Sequence, residues 1–150
     1  MARTKINSKS KDLISDNGSV LVSMVEGEQI HMGITLNWLT NLSDYTLTAK
    51  IVEADSSSLD YTKEELPTLE QSGGEVTTLT ILDSDPTDNQ FNIVLPEGLI
   101  DNWVTQPTPE KPTYGWIGLE VRDSGTGSAQ QVWKPMRGLV EVLYSPSEAV

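Results

Sequence analysis

Asp83, Asp85 and Asp88 fall close together in the run Asp83-Ser84-Asp85-Pro86-Thr87-Asp88-Asn89. Carboxylates at that spacing are hard oxygen ligands of the kind a calcium ion takes. Pro86 occupies the interior of the run, however, and neither the sixth-position glycine nor the closing glutamate of an EF-hand loop is present. Asp and Asn in such a run normally bond their own backbone two residues on, so the segment reads as a turn and no metal is assigned to it. With no cysteine and one histidine, the chain has no thiolate zinc site, disulfide, cysteine nucleophile or multi-histidine centre. His31 lies beside no Ser-His-Asp or Glu-His grouping.

Asp123-Ser124-Gly125-Thr126 resembles the Asp-Ser/Thr-Gly signature of aspartic proteases, whose mechanism needs two carboxylates sharing one proton. One copy is present, and Arg122 stands where that signature has an apolar residue. The motif also falls where a hairpin turn is expected, with glycine serving positions of positive φ. No catalytic residue and no cofactor follow, and the chain reads as a non-enzyme. Tyr114 and Trp116 share one parity of a segment whose other parity, Ile117, Leu119 and Val121, makes a core face; Gly115 and Gly118 leave room around them. They are expected to face away from the core, as anchors in a protein interface or as a sugar-stacking platform. The competing expectation is that the protein's own long 55–75 connection covers them, with Trp103 and Trp133 joining either arrangement.

Strands must position these residues. Ile30, Met32, Ile34, Leu36 and Trp38 occupy one parity against His31, Gly33, Thr35 and Asn37 on the other, the mark of a long strand with one buried face. Shorter runs follow the same rule: Val20, Val22 and Met24; Leu47, Ala49 and Ile51; Val76 to Leu82; Phe91, Ile93 and Leu95; and Gln131 to Tyr144, which Pro135 should break or bulge. Turn chemistry between the runs suggests hairpins in series. Helix signals are confined to 61–66 and to 97–104 behind Pro96, both within connections. About seven strands without a βαβ rhythm predict an all-β fold, an immunoglobulin-like β-sandwich lacking the Cys-Trp-Cys framework, with a small barrel as the other solution.

At 150 residues the chain is about one domain. Residues 1–18 read as an extended basic arm and 19–150 as the domain. Arg3, Lys5, Lys9 and Lys11 give the first 11 residues +4 without an acid, whereas the remainder, with 6 basic and 22 acidic side chains, carries −16. Such a body repels nucleic-acid phosphate and anionic lipid, so neither is an expected partner. No run approaches the ~18 apolar residues of a membrane span, and no signal-peptide core opens the chain, which predicts a soluble protein not exported by the standard route.

The segments GEQIHMGITLNWLTNLSDYTLTAKIVEA (27–54), DPTDNQFNIVLPEGLIDNW (85–103) and YGWIGLEVRDSGTGSAQQVWKPMRGLVEVLY (114–144) resemble small immunoglobulin-like virion proteins of tailed bacteriophages. Some baseplate N-terminal domains share the same phrases. The resemblance implies a non-enzymatic structural protein of the virion, present in host cytoplasm during assembly, serving as a capsid decoration or a tail or baseplate adaptor. Its partners would be other virion proteins, with self-association in the assembly left open. Docking would use Arg3, Lys5, Lys9 and Lys11, with Tyr114 and Trp116 as sheet-face anchors. The alternative is a carbohydrate-recognition module for host attachment that stacks sugars on Tyr114 and Trp116.

Overall fold

The computed structural model describes residues 4–6, 13–14, 20–54, 76–83, 85, 87–125 and 127–146. They form nine strands: β1 (Thr4–Ile6), β2 (Leu13–Ile14), β3 (Val20–Val25), β4 (Ile30–Leu36), β5 (Tyr45–Glu53), β6 (Thr77–Leu82), β7 (Gln90–Leu95), β8 (Thr113–Asp123) and β9 (Val132–Leu143). Hydrogen bonding joins them in the order β1-β4-β7-β6-β5-β8-β9-β2, with β3 also on β9. Pairing is mixed: β1 runs parallel to β4, β2 and β3 run parallel to β9, and the other pairs are antiparallel.

Strand β6 bends the sheet. Its first half, Thr77 to Leu79, pairs with β5, and its second half, Thr80 to Leu82, pairs with β7. Changing partner at mid-strand lets the sheet curl, so that β4 and β7 on one limb and β5, β8 and β9 on the other bury their apolar parity in one core. Met32, Ile34, Leu36, Phe91, Ile93 and Leu95 meet Ala49, Ile51, Ile117, Leu119, Val121, Met136, Val140 and Val142 there. The periodic runs therefore become strands on the predicted parity. On β4, Thr35 is buried as well, so that strand is covered on parts of both faces.

Hairpins in series describe only part of the chain. β6–β7 and β8–β9 pair as consecutive neighbours, but β3 runs along β9 and β4 lies between β1 and β7. Periodicity reports which face is buried and says nothing of which strand lies alongside. Residues 96–103 form successive turns rather than a helix: Leu99, Asp101 and Trp103 donate to the carbonyls of Pro96, Gly98 and Ile100. The 61–66 segment lies outside the described residues. Pro135 bulges β9 without ending it. Between the pairs Leu119↔Met136 and Val121↔Trp133, β9 advances three residues while β8 advances two, which absorbs the missing donor.

Within the stretch read as an arm, Thr4–Ile6 and Leu13–Ile14 are strands of the sheet, and Ile6 is fully buried in the core.

Gly115 illustrates how tightly the loop after β7 packs on β8. A Cβ there would approach the Trp103 ring at 2.5 Å and Ile51 at 3.1 Å. Gly115→Ala is expected to destabilise the protein by about 1–3 kcal/mol through overpacking. The check is a lower urea midpoint at unchanged slope; an unaltered midpoint would show that the ring can move aside.

Candidate functional site

The carboxylates of the β6–β7 connection are engaged by the chain itself. Asp83 Oδ1 accepts the Asp85 N–H at 3.3 Å, Asp85 Oδ1 accepts both the N–H and the hydroxyl of Thr87, and Asp88 Oδ1 accepts the Gln90 N–H at 2.9 Å. Asn89 donates its amide to the carbonyls of Leu36 and Leu39, each at 3.1 Å, and so ties the turn to the end of β4. These are the side chain to backbone bonds by which Asp and Asn stabilise turns. Among the described residues, no group of three His, Cys, Asp or Glu side chains is placed to hold a metal ion.

The Asp123 motif has the same character. Asp123 Oδ1 accepts the N–H groups of Gly125 and Gln131 at 3.0 and 3.1 Å, closing the β8–β9 hairpin. A Cβ at Gly125 would meet the Ala129 carbonyl oxygen at 2.9 Å, and Gly127 takes φ +59°, so both glycines are required by the turn. Arg122 pairs with Glu120 at 3.0 Å and donates to Gln130 at 2.7 Å, flanking the hairpin on its outer face. His31 is exposed on β4, opposite Val94 of β7.

Tyr114 and Trp116 do turn away from the main core, but they meet different fates. Trp116 is 0% exposed and lies with Val52, Ala54 and Leu139 in a second apolar cluster on the outer face of β5, β8 and β9. Burying an indole removes roughly 200 Å² from water, worth about 5 kcal/mol, which exceeds the ~1–3 kcal/mol of an unpaired indole N–H. That balance accommodates a Trp116 Nε1 that has no hydrogen-bond partner among the described residues. A side chain so enclosed offers no face for a sugar ring to stack on. Tyr114 is half-buried against this cluster and donates its hydroxyl to Glu141 Oε2 at 3.2 Å, while the Ser23 hydroxyl donates to Glu141 Oε1 at 2.8 Å. Burial, followed by the bond to Glu141 and its charge, raises the Tyr114 pKa above the ordinary phenol value.

Of the basic residues singled out, Lys5 is exposed on β1, and Arg3, Lys9 and Lys11 lie outside the described residues. The structure does not bring Lys5 together with Tyr114 and Trp116, since β1 and β8 stand on different limbs of the sheet.

One feature escapes sequence reasoning. The Glu53 carboxylate at the end of β5 accepts two consecutive N–H groups, from Val104 at 2.7 Å and Thr105 at 2.8 Å. Gln106 donates to the Ile100 and Trp103 carbonyls, and the Thr113 hydroxyl donates to the Thr105 carbonyl. Val104, held in place by its own N–H, is nevertheless 91% exposed. An isolated valine between Trp103 and a proline-rich stretch was the available signal, but the anchoring carboxylate is about fifty residues away.

Neither a protein-family model nor a curated protein sequence matches the chain.

Thr87 supplies the two bonds that lower the Asp85 pKa, the hydroxyl contributing most. The ionised form is thereby favoured in the folded state. Its stabilising effect is present above the ordinary carboxylate range and is lost as pH falls through the lowered value. Thr87→Val is expected to move the Asp85 titration upward towards an ordinary aspartate, measured by carboxyl-carbon NMR. An unmoved titration would show that the hydroxyl bond does not form in solution.

Proposed function

We propose that this chain is a non-catalytic structural module of immunoglobulin-like architecture that belongs to a tailed-bacteriophage virion and docks on another virion protein through its basic N-terminal residues. The pairing order carries the architectural part. The limb β1-β4-β7-β6 and the limb β5-β8-β9 correspond to the A-B-E-D and C-F-G orders of immunoglobulin-type sheets. In that correspondence β6 is the strand passing between the sheets, and β3 is an added edge strand beside the last one.

The virion part draws on the resemblance of segments 27–54, 85–103 and 114–144, and fold alone supports many tasks. Two physical features agree with an assembly role. The acidic side chains described above serve turns and strand ends. The separation of +4 in residues 1–11 from −16 in the rest suits attachment by charge complementarity to an acidic neighbour, which sets register and encounter rate more than affinity. Such docking would weaken as salt rises.

Ile6 belongs to the core, so deleting the whole N-terminal stretch would confuse docking with folding. Reversing charge at Arg3, Lys9 and Lys11 to glutamate, with Lys5 and Ile6 kept, separates the two. The triple variant is expected to melt within a few degrees of the parent, yet to fall at least tenfold in purified particles quantified by mass spectrometry after fractionation into heads and tails. Equal incorporation would remove the basic residues from the docking role. Absence of the unaltered chain from particles would remove the virion reading itself.

A further inference from the structure

β1 pairs in parallel with β4 through Thr4↔Ile34, Lys5↔Thr35 and Ile6↔Leu36, and the Asn37 N–H donates to the Ile6 carbonyl at 2.8 Å. Along its other side β4 is bonded to β7 over six register pairs. Residues 4–6 therefore close the remaining edge of β4, and Ile6 fills a site in the core shared with Ile34 and Leu36.

Two properties make this closure transferable. It is three residues long, and β4 is its one ladder partner among the described residues, so it belongs to the class of short edge elements that open at small free-energy cost. The site it leaves cannot comfortably stay empty, because opening strips hydrogen-bond partners from the β4 edge and leaves a void where the Ile6 side chain was. The structure identifies one sequence that fits this site in register: Thr4–Ile6 itself.

We infer that β1 is exchanged between copies, the Thr4–Ile6 strand of one chain filling the β4 edge of a second chain in the same parallel register. Closed and exchanged forms make the same β1–β4 contacts, so concentration and the new contacts at the junction set the balance. Mutual exchange closes a dimer, and one-way exchange extends a chain of copies. Charge favours the exchanged form. Two copies of net charge −12 repel, whereas transfer of β1 carries the cationic residues of positions 1–11 onto a neighbour that bears −16 outside that stretch. Lys5, exposed at the pairing line, puts one of those charges at the junction. None of this depends on the virion reading, since it concerns the isolated protein.

The absence of cysteine makes introduced thiols unambiguous. The double variant Lys5→Cys/Thr35→Cys places one thiol on each member of a register pair, at a separation a disulfide can span. Unlabelled and nitrogen-15-labelled protein would be mixed in equal amounts, incubated, oxidised and digested, and the linked peptides weighed. Exchange predicts linked peptides joining a light to a heavy partner, approaching about half of all linked peptides at high concentration, together with covalent dimers on a non-reducing gel. Only light–light and heavy–heavy links at every concentration would overturn the inference, as would failure of a folded variant to link at all. Thr35 is 8% exposed, so Lys5→Cys/Asn37→Cys with a short bis-maleimide provides the same reading at an exposed residue. Light scattering on the unaltered chain gives an independent measure: its mass must rise above one chain with concentration, and a strictly monomeric mass would overturn exchange.

Discussion

Strand β8 is hydrogen-bonded along both sides and buried on both faces, and this double constraint governs the rest of the molecule. Nine register pairs join it to β5 and nine to β9. Ile117, Leu119 and Val121 point into the main core, while Trp116 lies enclosed on the opposite face with Val52 and Leu139. A strand in this position tolerates neither a bulky residue where another element crosses closely nor a missing donor without compensation. Both requirements are visible: Gly115 admits the Trp103 ring, and the extra residue near Pro135 is taken up by β9 while β8 stays regular.

From β8 outward, each strand has progressively less holding it. β5 is bonded along its length to β8 but to β6 at three positions only, and β6 divides its bonds between the two limbs. At the ends of the order stand β1 on one side and β2 and β3 on the other, all parallel to the strand they join. Parallel neighbours cannot be consecutive hairpin partners. Both extremes of the sheet are thus closed by residues from the first 25 positions, which places the opening stretch of sequence within the fold as well as on its surface. The conflict between a basic segment suited to attachment and an Ile6 required by the core is resolved along β1 itself: Lys5 faces solvent and Ile6 is enclosed.

Local information in the sequence was sufficient wherever a residue's role depends on its near neighbours. The Met32, Ile34 and Leu36 stripe, the turn-forming Asp83 to Asn89 run, the hairpin at Asp123 and the disturbance at Pro135 all depend on alternation or short-range hydrogen bonding, and all could be read directly. Roles created by contact between distant segments could not. Nothing near Glu53 marks it as the acceptor for Val104 and Thr105, and nothing in Thr4-Lys5-Ile6 distinguishes a core strand from a loose terminus, because three residues carry no measurable period. Trp116 lay between these cases: parity assigned it correctly to the outer face, but enclosure depends on what lies over that face. Exposure therefore does not follow from facing away from the core when a sheet is covered on both sides.

The use made of acidic side chains connects the fold to the proposed role. Glu26 accepts the Ser145 N–H, Glu28 the Val25 N–H, Glu53 two loop N–H groups, Asp123 two hairpin N–H groups, and Asp83, Asp85 and Asp88 the turn that follows β6. A carboxylate accepts such bonds more strongly than a neutral group does, so a protein rich in long connections gains ordered loops from the same residues that make its surface negative. Order and charge then arise together. Loops fixed before any partner arrives lose little freedom on binding, and a uniformly negative body discourages casual association while leaving the few basic positions and the exposed Val104 as distinctive points of contact. A scaffold of this kind achieves selectivity through where its surface departs from the prevailing charge.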